Sequence, residues 1–158
     1  MTRLSVLFVC MGNICRSPAA EAVFRQCAVG RGVLDRLSID SCGTGGWHAG
    51  ERADKRMRVA ASRRGVDISS RARQVTPADL TDFDHILCMD DDNLDHLRTM
   101  GVDARAVLML EHHGDHDGRA VPDPYYGGAD GFERVLDLLE AACEGLLDHL
   151  QHSHDLKA

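Results

Sequence analysis

The chain of 158 residues has no apolar run long enough to cross a membrane, for which about eighteen consecutive apolar residues are needed. The apolar segment near its start, residues 4–9, is too short for the core of a signal peptide with a cleavage site. We therefore expect a cytoplasmic protein that has no membrane partner.

Positive charge is also in short supply. Eighteen lysines and arginines stand against 25 aspartates and glutamates, which gives a formal net charge of −7 and a pI near 5.6. That balance argues against a general binder of nucleic acids or of anionic membranes.

Patterns typical of metal and nucleotide sites are missing. The six cysteines are scattered and contain no C-x-x-C pair, so neither a zinc knuckle nor a thioredoxin-like motif is predicted, and reduced thiols fit best. The glycine-rich stretch 43–50 lacks the lysine of a Walker loop. Two groups of histidines have no zinc or calcium spacing and are interpreted as a solvated loop and tail: His112, His113 and His116 with Asp115 and Asp117, and His149, His152 and His154. We expect no metal and no cofactor.

What the sequence contains is a regular alternation of strands and helices. Strands are predicted at residues 4–9, 37–41, 85–89 and 105–110, and helices at 18–29, 53–64, 90–100 and 129–150, with a short capped helix at 76–80. This alternation predicts an α/β fold with a parallel sheet and right-handed crossovers. The length predicts one domain, residues 1–158, with a frayed tail from about residue 152.

Three polar segments follow the first three predicted strands. They are Cys10, residues 41–47, and Asp90. In open α/β sheets ligands bind beyond the carboxyl ends of the strands. We therefore expect these segments to meet at one edge of the sheet.

The stretch Cys10–Ser17 joins the first strand to the first helix. A helix start leaves backbone N–H groups without intrahelical partners, and the helix dipole adds positive potential, so the turn can bind an anion. Gly12 and Asn13 tolerate the backbone angles that let successive N–H groups point inward.

Two side chains give this turn its chemistry. An arginine and a helix N-terminus lower the pKa of a nearby thiol and so favour the reactive thiolate, which predicts a nucleophile at Cys10. Arg16 offers a planar fork for two phosphate oxygens, and we expect the positive charge of this acidic protein to be concentrated there. Ser17 is predicted to be the N-cap of the helix, followed by Pro18 in its first turn, and its hydroxyl could also reach the Cys10 sulfur.

Residues 10–18 match the pattern C-x-G-N-x-C-R-S-P, and the chain resembles the low-molecular-weight protein tyrosine phosphatases over nearly its whole length. The resemblance implies a three-layer sandwich with a four-stranded parallel sheet in the order 2-1-3-4 and a phosphate-binding loop after the first strand. It also implies metal-independent hydrolysis of phosphotyrosine and small aryl phosphates through a phosphocysteine on Cys10.

The same resemblance assigns roles to further residues. Asp123, in the segment Asp123-Pro124-Tyr125-Tyr126, is implied to protonate the leaving group and then to activate water. Arg16 and the loop N–H groups are implied to hold the phosphate. The substrate-binding set is Met11, Gly12, Asn13, Ile14, Cys15, Ser17, Trp47, Tyr125 and Tyr126, in which Trp47 and Tyr125 would stack on a phenyl ring.

Supporting roles are implied for three residues. Ser41 would hold Asn13 by a hydrogen bond, and Asp90 would pair with the loop. Cys15 either forms a reversible disulfide with Cys10 or is a small side chain that packs well.

Two alternative functions stay open. An arsenate reductase on the same fold needs two further cysteines close together, whereas Cys88 stands alone. A non-catalytic phosphotyrosine-binding module would be expected to lack Cys10 or Asp123, and both are present. Expected partners are phosphotyrosine proteins, among them a cognate tyrosine kinase, and we expect a monomer with weak self-association through Trp47 and Tyr125.

Overall fold

A central parallel sheet organises the chain in a computed structural model that describes residues 3–113, 120–125 and 128–157. The sheet order is β2-β1-β3-β4, and every neighbouring pair is parallel. The strands are β1 (Leu4–Cys10), β2 (Leu37–Gly43), β3 (His85–Cys88) and β4 (Ala106–Leu108). The predicted fold class and strand order are confirmed.

The helices alternate with the strands in the predicted order. They are α1 (Arg16–Gly30), α2 (Lys55–Ser62), α3 (Asp79–Asp82), α4 (Asp91–Thr99) and α5 (Ala129–His154), with two 3₁₀ turns at Leu34–Arg36 and Met109–His112. No helix among the described residues is long and apolar enough to span the hydrocarbon region of a bilayer.

The helices form layers on both faces of the sheet. Because successive side chains of a strand point to opposite faces, β1 contributes Val6 and Phe8 to one core and Leu7 and Val9 to the other. The first core is completed by α1, α2 and α5, and the second by α3 and α4. Of the helices, α5 supplies the longest apolar face, from Phe132 to Leu150, and packs along α1.

Two local predictions differ from the structure. Helix α1 begins at Arg16, so Cys15 holds the N-cap position, and Ser17 lies inside the first turn, where its hydroxyl bonds elsewhere. Strand β4 ends at Leu108 rather than residue 110, because the Glu111 carboxylate accepts a hydrogen bond from the Leu108 N–H and the chain turns into a 3₁₀ helix.

The histidines of the carboxyl-terminal group are exposed to solvent, as predicted, but they lie on helix α5. Helix α5 continues to His154, and beyond it Leu156 is only 6% exposed. The Nε2 atoms of His154 and His85 lie 2.9 Å apart, and the His112 and His149 rings have centroids 5.2 Å apart. In the described ranges no group of three or more His, Cys, Asp or Glu side chains is arranged to hold a metal ion, and positions 115–117 lie outside those ranges.

Candidate active site

The loop between β1 and α1 wraps around the Cys10 sulfur. Asn13 adopts the left-handed backbone conformation with φ of 57°, and its N–H donates to Cys10 Sγ at 3.3 Å. Apart from Asn13, the N–H groups of residues 11–17 donate no hydrogen bond within the described part of the chain. The loop therefore presents several open donors beside the thiol, as an anion site requires.

A buried hydrogen-bond network fixes the shape of this loop. Ser17 Oγ lies 3.0 Å from Cys10 Sγ, and the Asn13 amide donates to Ser17 Oγ at 2.7 Å and to Ser41 Oγ at 3.0 Å. The expected Asn13–Ser41 hydrogen bond is thus present. Ser41 donates in turn to Glu21 Oε1 at 2.7 Å. Ser17 Oγ accepts from Asn13, and its own proton has two acceptors within reach, the Cys10 sulfur and the Cys42 carbonyl at 3.3 Å.

Two members of the network have no counterpart in the sequence prediction. The backbone N–H of Arg73 donates to Asn13 Oδ1 at 3.0 Å, and its guanidinium pairs with Asp79 and Asp40 at 2.9 and 3.0 Å. Glu21 anchors Ser41 from inside α1. Neither residue belongs to a motif, and each lies far from its partner in the sequence, so only the folded chain brings them to the loop.

Strand β2 ends directly behind the loop. A Cβ added to Gly43 would lie 2.7 Å from the Met11 carbonyl oxygen and 3.0 Å from the Asn13 nitrogen, closer than side chains pack. The Thr44 and Gly45 N–H groups donate to the carbonyls of Cys10 and Met11 at 2.9 Å each. Glycine is required at position 43 for this close approach.

Arg16 is buried, with its guanidinium held from three sides. Nη1 donates to Asp90 Oδ2 at 2.7 Å and to the Val121 carbonyl at 3.2 Å, and Nη2 lies 3.6 Å from Asp123 Oδ2. Burial opposes the charge of the guanidinium, but the adjacent Cys10 sulfur and the Asp90 carboxylate raise the pKa of Arg16 above its ordinary value. Arg16 is therefore a fixed cation beside the sulfur.

Asp123 enters the site from the loop that precedes α5. Its Oδ1 accepts a hydrogen bond from the Tyr125 N–H at 3.0 Å, which aims Oδ2 toward Arg16. The side chain is partly exposed and borders the same cavity as Cys10. A carboxyl group in that position can exchange protons with a ligand on the sulfur side of the cavity.

The cavity over the loop has a volume of about 320 Å³ and collects most of the predicted residues. Its lining consists of Cys10, Met11, Gly12, Ile14, Cys15, Arg16, Trp47, His48, Asp123 and Tyr125. Asn13, Ser17, Ser41 and Asp90 lie outside the lining and bond to the loop or to Arg16. Tyr126 lies outside the described residues.

The rim of the cavity is largely aromatic. Trp47 is 71% exposed and lies over Gly45, and the Tyr125 ring is 6.5 Å from that of His48. His48 was not predicted as a site residue, although it directly follows Trp47 in the glycine-rich loop. Its Nδ1 bonds to Glu51 at 2.6 Å, and its ring packs over Gly12. The rim can therefore enclose a flat side chain.

The second loop cysteine differs from the first in its surroundings. Burial raises the pKa of the Cys15 thiol strongly, and Asp54, Cys10 and Asp123 raise it further. Cys15 is therefore a neutral thiol in the structure, and its disulfide with Cys10 stays a prediction.

Comparisons with known proteins agree with this geometry. The family model for "Low molecular weight phosphotyrosine protein phosphatase" matches residues 5–156. The chain is 42% identical to low molecular weight protein-tyrosine-phosphatase YfkJ of Bacillus subtilis, over 97% of this chain and 99% of that protein, and 38% identical to a human low molecular weight phosphotyrosine protein phosphatase, over 91% and 94%.

Solved structures give the same result. The crystal structure of YfkJ superposes with a TM-score of 0.92, covering 98% of each chain at 40% identity. A Drosophila arginine phosphatase superposes with a TM-score of 0.85 at 31% identity, covering 92% of this chain and 97% of that one.

Proposed function

The chain belongs to the low molecular weight phosphotyrosine protein phosphatase family, and from that premise we propose that it hydrolyses phosphotyrosine in proteins, with Cys10 as the nucleophile. The observation that carries the proposal is the sulfur of Cys10, surrounded by open loop N–H groups, the Ser17 hydroxyl and the Arg16 cation.

The first step transfers the phosphoryl group to sulfur. The Cys10 thiolate attacks phosphorus, the bond from phosphorus to the phenolic oxygen breaks, and protonated Asp123 gives its proton to that oxygen. Arg16 and the loop N–H groups stabilise the charge on the equatorial oxygens. Ser17 Oγ lies 3.0 Å from the sulfur and can donate a hydrogen bond to it.

The second step restores the enzyme. The Asp123 carboxylate takes a proton from water, the water oxygen forms a bond to phosphorus, and the bond between sulfur and phosphorus breaks to release phosphate and the Cys10 thiolate. No metal enters either step, because arginine and backbone N–H groups supply the positive field.

The shape of the cavity supports phosphotyrosine as the substrate. Ile14, Trp47 and Tyr125 provide apolar and aromatic surface on which a phenyl ring can stack. The similarity to an arginine phosphatase makes phosphoarginine the competing substrate, but the guanidinium group of that substrate has less to gain from an apolar wall.

The cellular setting is part of the same proposal. We infer that the protein is a cytoplasmic monomer, with weak self-association through exposed Trp47 and Tyr125, and that its substrates include a cognate tyrosine kinase.

Hydrolysis of para-nitrophenyl phosphate and of a phosphotyrosine peptide, with EDTA present, tests the assignments. We expect turnover by the wild type, none by Cys10→Ser, and a rate lower by about 10²-fold or more in Asp123→Ala. A phosphoarginine peptide should be the poorer substrate. Activity retained by Cys10→Ser would disprove the nucleophile, and an inert wild type that binds the peptide would leave a binding module.

A further inference from the structure

Positive charge is concentrated in one segment of this acidic chain. Residues 51–75 contain eight arginines and lysines and three acidic residues, so they carry a net charge of +5 although the whole chain carries −7. From the sequence we expected the positive charge to be concentrated around Arg16 instead. Arg16 is a single cation with Asp90 and Asp123 beside it, so much of its charge is already balanced.

This basic segment is attached to the phosphate loop. The Asp54 N–H donates to the Ile14 carbonyl at 2.7 Å, and the Arg73 N–H donates to Asn13. An antiparallel bridge places Arg52 beside Arg71. Acidic residues outside the segment balance Arg64 and Arg73, so the charge that matters for a ligand is on the remaining basic residues. Part of this segment forms a wall beside the active site.

A groove leads from the active site along this wall. It has a volume of about 650 Å³ between α2 and the start of α5, and Lys55, Arg56, Val59, Arg63 and Phe132 are among its lining residues. Arg56 stands where the groove meets the cavity, because its Nη2 donates to the Tyr125 carbonyl at 3.2 Å and its guanidinium lies 5.5 Å from the Tyr125 ring centroid. The groove and the phosphate cavity thus share a border.

One face of α2, which we call the α2 stripe, is exposed to solvent and carries two basic side chains that could bind a ligand. Lys55, Val59 and Arg63 are spaced four residues apart, which places them on the same side of the helix. Lys55 and Arg63 are exposed and make no ion pair with any residue the structure describes, and Val59 is 41% exposed. Arg56 is paired with Asp54 at 2.9 Å and is less available.

The acidic residues of the groove leave these two cations unbalanced. Glu133 is held by Arg64 at 2.8 Å, and Asp130 lies in the first turn of α5, where the helix dipole favours a negative charge. A ligand that complements the α2 stripe carries negative charge at both ends.

We propose that this groove binds acidic side chains that flank the phosphotyrosine of a protein substrate, so the enzyme prefers phosphotyrosine in an acidic sequence. The inference rests on the proposed function and specifies its substrate class. The eight residue steps from Lys55 to Arg63 extend about 12 Å along the helix axis, which corresponds to about four residues of extended peptide. The acidic residues are therefore expected within about four positions of the phosphotyrosine, on one side of it.

Three phosphotyrosine peptides test the preference: one with glutamates at four positions before the phosphotyrosine, one with them after it, and one with alanines throughout. We expect one acidic peptide to have a kcat/KM about five- to twentyfold above that of the alanine peptide, since exposed ion pairs contribute modestly. The double variant Lys55→Glu/Arg63→Glu should remove this ratio and leave hydrolysis of para-nitrophenyl phosphate unchanged.

The matched control is Arg36→Glu/Arg98→Glu, which changes the net charge equally at basic residues outside the groove and should keep the ratio. The neutral variant Lys55→Gln/Arg63→Gln should give a kcat/KM ratio between those of the wild type and the glutamate variant. Such a graded change shows that misfolding is not the cause of the lost preference. No acidic preference in the wild type, or an equal loss in the control, would overturn the proposal. The proposal would also be overturned if Lys55→Glu/Arg63→Glu lost binding to anionic lipid vesicles but kept the wild-type preference for the acidic peptide.

The peptides are also titrated against Cys10→Ser without turnover. If the wild type fails to hydrolyse any substrate, tighter binding of the acidic peptide still supports the groove. Equal binding of all three peptides rejects the groove whether or not the enzyme is active.

Discussion

At the scale of single residues, Asn13 combines a backbone role with a side-chain role. Its φ of 57° is costly for most residues, and its amide makes three hydrogen bonds that join the loop to α1, β2 and Arg73. Asn13→Ala would lose the hydrogen bonds and would still pay the free-energy cost of a left-handed backbone conformation. Asn13→Gly would lose the hydrogen bonds without that cost.

Urea unfolding of Asn13→Ala and Asn13→Gly separates these roles. We expect both to lower the free energy of unfolding by about 2 kcal/mol or more, because buried partners lose their bonds. Alanine should cost about 1 kcal/mol more than glycine. Activity toward para-nitrophenyl phosphate should fall in both variants.

Asp155 provides the control, since it has φ of 54° on the exposed surface. Asp155→Ala and Asp155→Gly should differ by the same backbone cost, with activity unchanged. An Asn13→Gly variant with wild-type stability would show that the side-chain network contributes nothing.

At the scale of elements, Asp90 connects the start of α4 to the active site. Its Oδ1 accepts from the Asn93 N–H at 2.9 Å as the helix N-cap, and its Oδ2 accepts from Arg16. Asp90 is therefore a positioning residue that holds Arg16 through an element on the opposite side of the sheet.

Asp90→Asn and Asp90→Ala distinguish the two functions of this carboxylate. Asparagine keeps the cap but removes the anion beside Arg16, so we expect kcat/KM to fall about tenfold with a loss of stability of about 1 kcal/mol. Alanine should lose about 1 kcal/mol more, because the cap is gone. The exposed Asp91→Asn serves as the control, and kcat/KM of Asp90→Asn equal to the wild-type value would mean that Asp90 does not position Arg16.

Elements could be predicted from the sequence where a periodic pattern or a motif defines them. Three strands follow from their apolar runs and β2 from its alternation of apolar and polar residues, and the match of residues 10–18 implied a site at the end of β1. The start of α1 was predicted two residues late because Ser17 is a good N-cap, but the folded chain uses its hydroxyl for the Cys10 sulfur. The residues around a predicted helix start do not show that a group elsewhere, here the Cys10 sulfur, takes the hydroxyl that would otherwise cap the helix.

The residues that the sequence did not reveal are those whose partners lie far away. Arg73 reaches Asn13 across sixty positions, and Glu21 reaches Ser41 across twenty. Neither has a local pattern. Trp47 and Tyr125 of the rim were implied by the family resemblance, whereas His48 was not predicted because no local motif marks it as a site residue.

At the scale of the whole molecule, the edge opposite the active site carries a histidine cluster between β3, the second 3₁₀ turn and the end of α5. Burial, with the neighbouring His149 and His85, lowers the pKa of His112 to about 4, and burial with His154 lowers the pKa of His85. The carboxylate of Asp84 acts in the opposite direction on His85. The folded protein thus favours the neutral form of the His112 and His85 rings.

This cluster makes stability depend on pH. The unfolded chain binds a proton at position 112 near the ordinary pKa of about 6.5, whereas the folded chain binds it near 4. Stability should therefore be complete above pH 6.5 and decline as the pH falls from there toward 4. Since the ring is partly exposed, we expect a contribution on the order of 1 kcal/mol.

Urea unfolding at pH 7 and pH 5 measures this contribution. His112→Leu should lose less stability between the two values than the wild type does. His152→Leu, at an exposed position near the end of α5, should keep the wild-type difference. A pH difference unchanged in His112→Leu would contradict the assignment.

During synthesis, α5 is the last described element to leave the ribosome, yet its apolar face covers α1 and the β1 side chains beneath it. Until it emerges, the core around Phe8 and Phe24 lacks the apolar side chains of α5, and the phosphate loop joins the two elements that carry these residues. Cys10 is therefore translated early but acquires its reactive surroundings late. A nascent chain that lacks α5 therefore contains Cys10 without the folded loop around it.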